Sequence, residues 1–148
     1  MIIPVLLILL VIAERGSAAP WTEVTVGDGT NDWASITISA DGTKLAATVF
    51  GGNIWTSSNS GATWVERVVG DGTNHWWAIT PSADGTKLAA TVLGGNIWTS
   101  SNSGANWTER VVGDGTNNWY GITSSADGTK LAATVLGGNI WTSSNSGA

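Results

Sequence analysis

Past an unbroken apolar stretch at residues 2–13, the hydrophobic positions come in short aromatic and β-branched runs parted by Gly, Asp, Asn and Ser. Residues 76–82 (WWAITPS) form one such run and predict a strand a, with Pro81 tolerable only near its end or at a bulge. Next comes Ala83-Asp84-Gly85-Thr86, whose Asp-Gly pair signals a type I′ hairpin turn with positive φ at both central residues. Residues 87–93 (KLAATVL) predict strand b, rich in the small side chains that a crowded position needs. Gly94-Gly95-Asn96 turns the chain into strand c at 97–101, and Asn102-Ser103-Gly104-Ala105 turns it into strand d at 107–112. No stretch beyond the apolar start places hydrophobic residues at helical spacing, so the pattern predicts an all-β fold.

The same four-strand unit is written three times. Trp21, Trp64 and Trp107 stand 43 residues apart and open units at 21–63, 64–106 and 107–148. Copies two and three differ at five aligned positions (65/108, 75/118, 77/120, 78/121 and 81/124), and three of these fall between strands d and a or at the start of strand a. A strand-rich repeat of this length predicts blades of a β-propeller, each a four-stranded antiparallel sheet.

The turn between strands c and d carries a family resemblance. Ser57-Ser58-Asn59-Ser60-Gly61-Ala62-Thr63-Trp64 resembles the Asp-box of bacterial-neuraminidase (BNR) repeats, Ser-x-Asp-x-Gly-x-Thr-Trp. Ser100, Asn102, Gly104 and Trp107 repeat it, and Ser143, Asn145 and Gly147 begin a third copy. The resemblance covers residues 20–148 and implies propeller blades in which the box is a structural turn. Its acidic residue ties back to backbone N–H groups, its Gly takes a backbone angle that other residues avoid, and its Trp packs between sheets. Asn59, Asn102 and Asn145 stand where the family has Asp; Asn can accept the same bonds without the charge. The repeat also resembles the photosystem II assembly factor family, which implies a propeller that grips a protein partner without chemistry. The sialidase branch implies a three-Arg carboxylate clamp with a Tyr–Glu nucleophile pair and an Asp acid/base. Beyond residue 20 this chain has only Arg67 and Arg110, both on strand d, and Tyr120 is its one Tyr. No catalytic residue is assigned, and the chain is read as non-enzymatic, with a fragment of a sialidase-like glycosidase as an alternative.

Twelve apolar residues are too few for a spanning helix, which needs about 20. Residues 2–13 instead suit the apolar region of a signal peptide ending at residue 19, after the small residues Gly16-Ser17-Ala18-Ala19. The expectation is a secreted protein without a stable membrane span.

Composition narrows the chemistry. The chain has no Cys, one His and a formal net charge of -5 with six Lys+Arg, which excludes thiol chemistry and makes a nucleic-acid partner a poor fit. No cofactor and no metal site are expected, because each Asp-Gly-Thr-Asn loop brings one carboxylate where Ca²⁺ takes 6–8 oxygens. The loops between strands d and a each run into a Trp, and loops carry function on a rigid scaffold. Aromatic rings beside Asp, Asn and Thr suit a sugar. Asp32, Trp33, His75, Trp76, Trp77, Asn118, Trp119 and Tyr120 are therefore the candidate ligand-binding residues, for a glycan, a glycoprotein or another protein. The alternative places Trp33, Trp76 and Trp119 between blades, with Trp21, Trp55, Trp64, Trp98, Trp107 and Trp141. Residues 21–26 have the sequence of a lone strand d, and the last blade reads as strands a to c. Closed rings typically use 4–8 blades, so three blades form either part of a propeller or half of a six-bladed ring built by a head-to-tail homodimer.

Overall fold

A computed structural model describes residues 21–148; the expected signal peptide lies outside the described residues. Blade 1 contains β1 (Trp33–Ile38), β2 (Leu45–Gly52), β3 (Ile54–Ser57) and β4 (Val65–Arg67). Blade 2 contains β5 (Asn74–Pro81), β6 (Leu88–Gly95), β7 (Ile97–Ser100) and β8 (Thr108–Arg110). Blade 3 contains β9 (Asn117–Ser124), β10 (Leu131–Val135) and β11 (Ile140–Ser143). Each strand pairs antiparallel with the next inside its blade, so the spatial order is the chain order. Among the described residues no helix is long and apolar enough to cross a membrane.

The turns explain why the strands stop where they do. At the a–b turn the Asp84 carboxylate accepts bonds from the Ser82 hydroxyl, the Thr86 N–H and the Thr86 hydroxyl. These donors, the Ser82 hydroxyl first, hold the carboxyl down at about 2. The turn is not the expected type I′: Gly42, Gly85 and Gly128 have positive φ, whereas the Asp before each does not. The loop is longer than two residues, with Ser82 N–H bonded to Lys87 O and Gly85 N–H to Ser82 O, and only its last turn residue needs the left-handed conformation. Pro81 is the final residue of β5, paired with Leu88, where its missing N–H interrupts nothing further along the ladder.

At the c–d turn an Asn side chain closes the loop in each of the first two units. Asn59 Oδ1 accepts from Thr63 N–H at 2.9 Å, and Asn102 Oδ1 accepts from Asn106 N–H at 2.8 Å. Ser57 and Ser100 bridge to the N–H of Gly61 and Gly104. The Trp64 and Trp107 indoles donate back to the carbonyls of Gly61 and Gly104 at 3.0 Å each. In the third box Ser143 Oγ likewise accepts from Gly147 N–H and bonds Asn145.

Blades pack face to face around the strand b positions. Residues 46–49 and 88–92 are buried throughout, and their Ala and Thr allow neighbouring sheets to approach. One core cluster joins Ala46 and Ile54 of blade 1 to Trp76, Ile79, Leu88, Ala90 and Val92 of blade 2, with Trp98 and Trp107 against it. A second joins Ile97 of blade 2 to Trp119 and Ala133 of blade 3. The inner strands β1, β5 and β9 lie side by side. At one end Ala40 N–H bonds Ala83 O and Ala83 N–H bonds Ala126 O, linking successive a–b turns. At the other, Phe50 pairs with His75 and Leu93 with Asn118, linking strand b of one blade to strand a of the next.

One expected strand is absent. Residues 21–26 form no strand, and Trp21 is fully exposed. Strand d is held by strand c of its own blade, as β4 is by β3, and residues 21–26 have no such partner among the described residues.

Candidate binding face

The first two d–a loops spend their polar groups on themselves. Asp28 Oδ1 accepts the hydroxyl of Thr30 at 2.7 Å and its N–H at 3.0 Å, which holds the carboxyl below the usual range. Asp71 is lowered in the same way, mainly by the Thr73 N–H. Asn31 and Asn74 donate back to the carbonyls of Val26 and Val69. Gly27, Gly70 and Gly113 lie on the indoles of Trp55, Trp98 and Trp141, all at positive φ, so a side chain there would meet the ring. The loops are rigid caps on strand c tryptophans.

That architecture corrects part of the expected site. Trp76 and Trp119 are completely buried and face no ligand. Each meets the strand c Trp of its own blade edge-on, Trp76 on Trp98 at 6.1 Å and Trp119 on Trp141 at 6.0 Å, and Trp76 Nε1 donates to Gly52 O. They belong to the core because the preceding blade covers them. Trp33 makes the equivalent contact with Trp55 but stays exposed, since no blade precedes it among the described residues.

His75, Trp77 and Tyr120 do come together, and Phe50 joins them. The Phe50 and His75 rings are parallel, with centroids 4.6 Å apart; Phe50 meets Trp77 edge-on at 6.2 Å, and Trp77 meets Tyr120 at 5.1 Å. The row crosses all three blades, from the end of β2 through β5 to β9. Phe50, His75 and Tyr120 are exposed and Trp77 is half-buried. Asn118, aligned with His75, is exposed and pairs with Leu93, while Asp32 contributes its carbonyl to Phe50 N–H.

A backbone device places Trp77 and Tyr120. The strand a–b register shifts between Trp33 and Ser35, between Trp76 and Ala78, and between Val135 and Thr134 opposite Trp119 and Gly121. Ala34, Trp77 and Tyr120 are therefore the extra residues of three β-bulges, a feature that re-aims side chains at sheet rims. Strand b threonines hold the loosened backbone: Ala78 N–H bonds Thr91 Oγ1 at 3.1 Å and Gly121 N–H bonds Thr134 Oγ1 at 3.0 Å. The bulge position carries Ala, Trp and Tyr in the three copies. Phe50 escaped the loop-based reading because it lies on strand b; its signal was that Leu93 and Leu136 stand in its place in the other copies.

No group of three or more His, Asp or Glu side chains converges on a metal-sized site among the described residues. Arg67 and Arg110 lie on the outer strands β4 and β8, with Nε bonded to Thr56 and Thr99.

No family model matches the sequence, and no curated protein matches it. Solved structures do. The protein described as YCF48 bound to D1 peptide matches with a TM-score of 0.69 and 13% identity, over 80% of this chain and 39% of that one. A chain of a nidogen/laminin complex matches at 0.66 and 15% identity, over 82% of this chain and 48% of its own length. A Niastella koreensis GH74 enzyme matches at 0.61 and 22% identity, over 78% and 17%. This chain thus spans less than half the length of each. At such identities the likeness shows the fold: an all-β, partial β-propeller of three blades.

Proposed function

We propose that the chain is a secreted, non-enzymatic propeller module that binds a protein partner through the row Phe50–His75–Trp77–Tyr120. The observation that carries this reading is the row itself: four contiguous aromatic side chains, three of them exposed, two of them (Trp77 and Tyr120) displayed on bulges. Exposed aromatic clusters with few charges are the composition of interface anchors. A glycan was the first expectation; stacking on a sugar needs open ring faces, and Phe50 and His75 each cover one face of the other. Tyr120, with Asn118 on the same strand, keeps a glycoprotein sugar as the second reading. Secretion rests on the signal-like sequence before residue 20. The outward placement of Arg67 and Arg110, away from the row, supports the absence of a carboxylate clamp. The YCF48 structure contains a bound peptide, which lends the protein-partner reading a precedent in this fold.

Binding of a displayed peptide library and of a glycan array, each with Tyr120→Ala beside the parent, tests the partner class. Peptide ligands whose affinity falls at least about tenfold in the variant support the reading. Glycan hits alone would replace it, and ligands indifferent to Tyr120 and to Phe50→Ala would remove the row from the function.

A further inference from the structure

Four of the chain's six Lys and Arg side chains gather in two clefts between blades. Between blades 1 and 2 a cleft of about 140 Å³ is lined by Lys44, Thr56, Thr63, Arg67 and Ser103. Between blades 2 and 3 a cleft of about 200 Å³ is lined by Lys87, Thr99, Thr108, Arg110 and Ser146. All four cations are half-buried, and among the described residues no carboxylate lines either cleft. Partly desolvated cations without a lining counter-charge leave the negative charge of a ligand as the missing partner.

Local geometry holds each donor in place. The Lys44 stem crosses the blade boundary over Gly85, where an added Cβ would lie 3.0 Å from Lys44 Cβ, and Lys87 crosses over Gly128 in the same way at 2.9 Å. Arg67 Nε donates to Thr56 Oγ1 at 3.0 Å, and Arg110 Nε to Thr99 Oγ1 at 2.9 Å. Each bond uses the threonine oxygen as an acceptor, so its own hydroxyl proton is left to donate beside the terminal amino groups of the guanidinium. Asp84 and Asp127 are held low first by the Ser82 and Ser125 hydroxyls and least by the charges of Lys44 and Lys87. Their oxygens are spent on Ser and Thr of their own turns, and they line neither cleft. The copies differ inside the clefts without losing this chemistry. Thr63 gives way to Asn106 while Val65 gives way to Thr108, so each cleft keeps a second lining hydroxyl.

We propose that each cleft binds the oxyanion of a sulfate or phosphate group, held between the Lys ammonium and the Arg guanidinium with Thr hydroxyls donating beside them. Donors with no negative group among them repel a metal ion and match a ligand made of charged oxygens. The clefts lie at the a–b end of the blades, opposite the aromatic row, and form a site separate from it.

Titrating the full chain with sodium sulfate or sodium phosphate, against sodium chloride at equal ionic strength, is expected to give saturable backbone amide shifts at both clefts. Arg67→Gln is expected to weaken binding at the first cleft at least about tenfold and to spare the second, with Arg110→Gln doing the reverse. Because each Arg also bonds a Thr, Lys44→Gln and Lys87→Gln supply variants that leave that bond intact and should weaken the same single clefts. A sulfated oligosaccharide that binds far tighter than sulfate, and loses the gain in either Arg variant, identifies an ester spanning both clefts; no gain identifies the free anion. Shifts no larger or more saturable than those in chloride would overturn the proposal. So would sulfate and phosphate binding that is unchanged in all four variants.

Discussion

Blades 1 and 2 carry nearly the same residues and bury them differently. Ile36 is 64% exposed and its counterpart Ile79 only 6%; Trp33 is 44% exposed and Trp76 not at all. The trailing side repeats the lesson, with Ile97 8% exposed in blade 2 and Ile140 73% in blade 3. Sequence decides that a blade forms, whereas the adjoining blade decides what becomes core. Stability in such arrays is approximately a sum of unit and interface terms, and the middle blade is the one with both interfaces.

Paired substitutions sharpen that contrast, and each pair is compared by urea unfolding. The largest gap is expected for Trp76→Ala against Trp33→Ala. The first opens a cavity in the core and costs about 3–5 kcal/mol; the second loses an edge-to-face contact with Trp55 and costs less than about 1.5 kcal/mol. Equal losses would break the comparison.

Gly104→Ala against Gly61→Ala comes next. Both residues have positive φ, so both variants bear the same backbone strain. At Gly104, however, a Cβ would sit 2.7 Å from Thr56 Cγ2 of the preceding blade, while at Gly61 the nearest atoms lie 3.9 Å away, within its own blade. Gly104→Ala is therefore expected to cost about 1–3 kcal/mol more. The difference measures how tightly two blades are pressed together.

Acid produces the smallest effect and should not separate the blades. Asp41 and Asp84 are held at about 2 by hydroxyl and N–H donors, Ser39 or Ser82 first. A depressed carboxyl contributes stability above its unfolded value and loses it as pH falls through the folded one. Stability should thus decline modestly from about pH 4 toward pH 2, and Asp84→Asn should flatten the decline. A profile unchanged by Asp41→Asn and Asp84→Asn together would show that these turns do not couple to folding.

Much of this was legible in the residues. Strands a, b and c fall within a few positions of their expected places in the full units, because Gly, Asn and Asp punctuate the chain where turns are required. The Asn-for-Asp box also closes as its chemistry allows. Three features were not legible, each for a physical reason. The fates of Trp33 and Trp76 differ although both end the same loop, since burial by a neighbour is not written in a local sequence. Asp-Gly was read as a two-residue turn, but Ser82 and Thr86 enlarge the loop by bonding the Asp. The row at Trp77 and Tyr120 depends on bulges, and a bulge is a property of register between two strands.

The three LAATV segments provide the most direct test, because identical sequence gives identical intrinsic amide exchange. Leu88–Val92 is buried throughout, whereas in β10 only Ala133 is. Hydrogen exchange on the dilute chain should be slowest at residues 88–92 and fastest at 131–135, since protection tracks the local cost of opening. Equal rates in all three segments would contradict the claim that neighbouring blades, and not the repeat itself, create the core.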